Sequence, residues 1–125
     1  MTADILLYIG AIVTAGWGIA HLIATRAAVR DFGDISEDHR RVLTMEWIME
    51  GLTLAFIGLL VALVTLITGS QAPGATIVYQ TSGFMLVAMA LVSVKTGART
   101  SILPMRLCPI FFTTVACLFF LGSIL

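Results

Sequence analysis

Charge is scarce in this chain. Seven Lys and Arg and seven Asp and Glu make up 11% of its 125 residues, against about a quarter in an average globular domain. The net charge is zero, which leaves neither a basic face for nucleic acid nor an acidic disordered tail. Two cysteines are too few for a disulfide scaffold. There is no repeat at a solenoid period, no low-complexity tract and no sign of a second domain, so residues 1–125 are read as one unit. Apolar residues fill the chain instead, at 59% with a mean hydropathy of +1.05. A soluble domain of this size has to cover a large surface with polar groups, and these are missing. The composition is that of an integral membrane protein.

A hydrocarbon core of about 30 Å takes roughly 20 helical residues to cross. Four apolar stretches are long enough, near 4–25, 42–68, 76–96 and 105–124. Only helices or a closed barrel satisfy every backbone group in lipid. These runs are continuous rather than alternating, which selects helices. The second is longer than the bilayer needs, so it protrudes or tilts. The first has no basic stretch before it, exceeds a signal-peptide core and is interrupted by Trp17 and His21, so it is read as a retained helix.

The connections differ in charge. Arg26, Arg30, Arg40 and Arg41 lie between the first two stretches, and Lys95, Arg99 and Arg106 surround the last turn. The segment 69–75 carries no charge, and neither terminus has Lys or Arg. By the positive-inside rule, the segments 26–41 and 97–104 are cytoplasmic and both termini face outward. The expected fold is all-α, an antiparallel up-and-down bundle of four transmembrane helices, in a bacterial cytoplasmic (inner) membrane. In the first connection Asp34 with Glu37 fits a capping box and Ser36 is a competing N-cap, so the second helix begins near residue 35–37.

Residues three and four apart share a helix face. Gly10, Thr14, Trp17, Gly18, His21 and Thr25 form one stripe of mainly small and polar residues, expected to face the bundle interior. On the second helix Gly51, Ala55, Gly58 and Ala62 form a small-residue seam for internal packing or for a homo-oligomer, while His39, Glu46, Glu50 and Thr53 line up about a third of a turn away.

The leading constellation is His21 with Glu46 and Glu50, extended by His39. Two carboxylates and an imidazole suffice for a divalent metal. They can also pass protons, or act as general acid and base on a lipidic substrate. The plain alternative is a polar cluster joining helices, with Glu50 neutral or paired to Arg26, Arg40 or Arg41. Methionines spaced by four (Met45/Met49 and Met85/Met89), with Cys108 and His21, offer soft ligands for Cu(I), although methionine is ordinarily a packing residue. Cys108 and Cys117 fall about half a turn out of phase and cannot bridge each other. Trp17 shares the His21 face and can wall a pocket; Trp47 is assigned to interfacial anchoring. Tyr79 and Gln80 mark either an outer gate or ordinary polarity at a loop end. Lys95 and Arg99 are assigned to lipid headgroups, and Arg106 to the same role or to neutralising a substrate.

The reading favoured on this basis is a small-molecule or ion transporter, or a binding protein, open toward the cytoplasmic leaflet. In it Glu50 takes and releases a proton or binds a cation, Glu46 and His21 adjust how readily it does so, and Trp17 forms a wall. Its partners are the bilayer, a small molecule, ion or lipid, and further copies of the chain, but not nucleic acid. A membrane enzyme using His21 and Glu46/Glu50 on a lipidic substrate is the second reading, and an accessory or assembly subunit the third.

Overall fold

A computed structural model covers residues 1–125 and contains four long helices and no strand: α1 (Thr2–Arg30), α2 (Glu37–Thr68), α3 (Pro73–Lys95) and α4 (Leu103–Ile124), with a single 3-10 turn at Gly97–Arg99. All four are long and apolar enough to cross a membrane. α1 runs five residues beyond its expected end at 25, because the Ala27-Ala28 stretch sustains a helix and no breaker intervenes before Gly33, which turns the chain at φ 75°. α3 and α4 each begin earlier than expected. Both have proline in the first turn, where its fixed φ suits a helix start and its missing N–H goes unmissed.

The start of α2 resolves the competition between Asp34 and Ser36. Ser36 is the N-cap, its hydroxyl accepting the His39 backbone N–H at 3.2 Å. Glu37 and Asp38 then occupy the first turn, where the helix dipole favours negative charge.

The broad contacts are α1 on α2 and α3 on α4, joined through α1 and α4; α2 and α3 meet only narrowly. Small residues permit the closest of these approaches. A Cβ on Gly18 would lie 2.5 Å from the Ala55 nitrogen and 2.6 Å from the Gly51 carbonyl oxygen, and one on Gly58 would lie 2.6 Å from the Ala15 nitrogen. The seam on α2 is therefore filled by α1 within the same chain, which removes it as a surface for self-association. The small and polar stripe on α1 turns inward as expected: Gly10, Thr14, Gly18, His21 and Thr25 are all buried.

Where α2 and α3 do touch, the buried hydroxyls of Thr65 and Tyr79 are 3.0 Å apart. Thr65 also donates to its own Val61 carbonyl at 2.7 Å. Its single proton is thereby committed, so Tyr79 is the donor of the pair. Tyr79 is completely buried, so the outer-gate role gives way to a helix clamp. Most of the remaining core is apolar, with Leu7, Leu54, Val61, Leu86, Phe112 and Phe119 fully enclosed. Large aliphatic and aromatic residues such as Ile12, Ile23, Phe56, Leu66 and Phe84 cover the outside. That surface suits lipid rather than water.

Candidate functional site

His21 is delivered to the interior by the same three-and-four spacing that buries Gly18 and Thr25. Nine-tenths of its side chain is out of solvent, and Nε2 lies 3.5 Å from Oε2 of Glu50 on α2, whose side chain is 34% exposed. The two atoms are within ion-pair distance but are not aligned as a hydrogen bond, and no other group in the chain satisfies Nε2.

Trp47 holds this histidine in two ways. Its ring stacks on the imidazole, with centroids 5.0 Å apart and planes 21° from parallel. Its indole N–H donates to the His21 backbone carbonyl at 3.2 Å. Trp47 is thus a structural part of the α1–α2 contact, a role that the expectation of interfacial anchoring did not include. Trp17, one turn before His21, stacks on Phe111 of α4 at 4.5 Å. Its own indole N–H is buried without an acceptor.

The other predicted members fall elsewhere. Glu46 is exposed on α2 and borders a cavity beside Glu50 without contacting His21. His39 is exposed and belongs to the helix start, its ring nitrogen Nδ1 lying 3.0 Å from the Ser36 hydroxyl. No three His, Cys, Asp or Glu side chains converge closely enough to hold a metal ion. His21, Glu46 and Glu50 thus do not assemble as a ligand trio. Arg26, Arg40 and Arg41 do not reach Glu50 either, and Arg41 pairs instead with Glu37 at 3.1 Å.

Three adjoining cavities surround the pair. The first, about 500 Å³, is walled by Trp17, His21 and Trp47 with alanines of α1 and the start of α4. The second, about 360 Å³, lies between Glu50, Met85 and Met89 of α3, and Cys108 of α4. The third, about 480 Å³, opens between α2 and α3 and includes Glu46 and Glu50. Glu50 borders the last two, Trp47 the first and third, and Met105 all three. Asp31, Glu46 and Glu50 stand in these walls, and no Lys or Arg does.

Met105 and Phe111 were not anticipated from the sequence. Met105, Cys108 and Phe112 recur at helical spacing on one face of α4, which was the available signal for Met105. Pro109 lies four residues on and has no N–H to give the Met105 carbonyl, which loses its helical partner. Nothing in the sequence pairs Phe111 with Trp17. Comparison with family models, curated proteins and solved structures gives no match.

Proposed function

We propose that this is an integral membrane protein that binds, and passes across or within the bilayer, a small molecule or ion, with Glu50 as the group that takes up and gives up the proton or cation and His21 as its partner. The observation that carries the reading is the His21–Glu50 contact at 3.5 Å, bordered by cavities on both sides. An ionisable pair inside a membrane bundle is costly unless it is paired or used. This pair is imperfectly aligned and partly open, as suits a group that changes its charge rather than a fixed strut. His21 and Glu50 face each other instead of flanking a substrate-sized gap, which favours proton holding over acid–base catalysis.

The accompanying topology is an antiparallel bundle with both termini outward. Its support is the order of contacts, in which Gly18 meets Gly51 and Ala55 while Ala15 meets Gly58, so that α2 recedes as α1 advances. The seven basic residues then lie at the cytoplasmic ends, in keeping with a bacterial inner membrane.

Infrared spectroscopy of the purified protein across a pH titration tests the assignment. The protonated-carboxyl band that appears on acidification is expected to lose one component in Glu50→Gln. An unchanged band in that variant would remove Glu50 as the proton-exchanging group.

A further inference from the structure

We infer that the ligand of this site is a lipophilic monovalent cation, admitted from the bilayer through the gap between α2 and α3; the inference rests on the reading that Glu50 is the charged group of a binding site. The first support is charge. All seven Lys and Arg belong to helix ends and connections around this region, yet none lines the three cavities, whose ionisable members are Asp31, Glu46, Glu50, His21 and Cys108. An anion entering here would meet three carboxylates and no Lys or Arg to offset them. A cation would meet Glu50 at the junction of two cavities, with Trp47 lining the third beside it, and aromatic rings attract cations.

The second support separates an organic cation from a bare metal ion. Hard cations need six or more oxygen ligands. Beside Glu46 and Glu50, the side-chain oxygens of the two cavities that Glu50 borders are only the hydroxyls of Thr53, Ser93 and Thr96. No acidic trio forms. The other walls are alanine, methionine and aromatic rings, which solvate a large apolar body. Each cavity lies within the range of roughly 300–1,000 Å³ common for small-molecule sites.

The third support is the route. α2 and α3 are clamped at Thr65–Tyr79, close to the turn that joins them. At the level of Glu50 they part, leaving Met85 and Met89 across a cavity from the carboxylate, with Met85 47% exposed on the outer surface. Methionine is flexible enough to yield to a bulky guest. A guest that dissolves in the bilayer thus reaches Glu50 without crossing the basic end of the bundle.

Cation and proton then compete for one carboxylate. The groups facing Glu50 are His21 from α1 and Cys108 from α4, with Glu46 one turn earlier on α2, while α3 supplies only the hydroxyls of Ser93 and Thr96. A protonated Glu50 has no charge to offer, so cation binding strengthens as pH rises.

Trp17 and Trp47 are the only tryptophans in the chain and both line these cavities, so tryptophan fluorescence, excited selectively over tyrosine, reports on this site. The test titrates the full chain, in nanodiscs of neutral phosphatidylcholine, with tetraphenylphosphonium and with tetraphenylborate, its anionic counterpart of nearly the same shape. The expected result is saturable quenching by the phosphonium, tightening with pH, weakened about tenfold or more in Glu50→Gln and less in Glu46→Gln, with no saturable response to the borate. Equal saturation by the borate, or phosphonium affinity that survives both substitutions, overturns the proposal. Should Glu50→Gln fail to fold, Glu46→Lys at the exposed neighbouring position carries the test, and unchanged phosphonium affinity there overturns the proposal equally. A Glu50-dependent carboxyl band without phosphonium binding would leave the proton-exchanging role standing and remove the ligand class. Glu50-dependent phosphonium binding without that band would do the reverse.

Discussion

Nε2 of His21 and Oε2 of Glu50 lie 3.5 Å apart across the α1–α2 junction, with the imidazole resting on the Trp47 ring. The same helix that brings the carboxylate therefore also fixes the imidazole plane and, through the indole N–H, the backbone beneath it. Residues coupled in this way do not respond independently to substitution. A double-mutant cycle of His21→Gln and Glu50→Gln is expected to give a coupling of about 0.5–3 kcal/mol, read from unfolding of the detergent-solubilised protein. Glu50 is a third exposed, so the lower part of that range is expected. Additive losses would mean that the two side chains do not sense each other.

Gly16 and Gly18 stand two residues apart on α1 and should behave oppositely. A Cβ at Gly18 would press on the backbone of Ala55 and Gly51, whereas one at Gly16 would meet nothing within 4 Å. Gly18→Ala has to push α2 away and is expected to cost about 1–3 kcal/mol, as overpacking does. Gly16→Ala gains helix propensity and is expected to be neutral or stabilising by up to about 1 kcal/mol. Thermal unfolding of the two variants under the same detergent conditions compares them directly. Equal sensitivity would contradict the close α1–α2 approach.

These contrasts show which features of the molecule are legible in the sequence. The four spans and the inward face of α1 follow from continuous apolar runs and from three-and-four spacing, both local properties. Glu50 stands out for the same reason, since a carboxylate deep in an apolar run has few ordinary explanations. Partnerships are different. Glu46 and Glu50 share a helix face, but a difference of one turn takes Glu46 into the open while Glu50 reaches His21. His39 looks like a third ligand by spacing, yet it sits three residues after Ser36, where helix capping claims it. Trp47 has the position of an interfacial anchor, and only the packing of α1 on α2 reveals that its ring lies on His21. The two cavities that Glu50 borders lie between α2 and α3, an arrangement no single helix encodes.

The Thr65–Tyr79 clamp predicts an asymmetry between its two halves. Tyr79→Phe removes a donor and leaves Thr65 bonded to the Val61 carbonyl, so the loss should be that of one hydrogen bond, about 0.5–1.5 kcal/mol. Within a membrane bundle the lower part of that range is typical. Thr65→Val instead strands the Tyr79 hydroxyl in a fully buried position, and an unsatisfied buried group costs about 1–3 kcal/mol. Thr65→Val is therefore expected to unfold at a lower temperature than Tyr79→Phe. The reverse order would mean that the Tyr79 hydroxyl finds another acceptor.

Orientation in the membrane is tested by two exposed positions at opposite ends of the helices, Gln71 between α2 and α3 and Ser101 before α4. Each is changed to cysteine in a chain whose Cys108 and Cys117 are replaced by alanine, and intact cells are treated with a membrane-impermeant maleimide. The placement of the basic residues at the helix ends around residues 26–41 and 95–106 predicts labelling of Gln71→Cys in intact cells and of Ser101→Cys only after permeabilisation. The outcome also determines what the Glu50 site can exchange with. With the basic end inward, the gap between α2 and α3 opens within the cytoplasmic leaflet, so a lipophilic cation bound at Glu50 is drawn from that leaflet and a displaced proton is released on that side. Labelling of Ser101→Cys in intact cells would invert both directions and put the site in the outer leaflet, while leaving the His21–Glu50 geometry untouched.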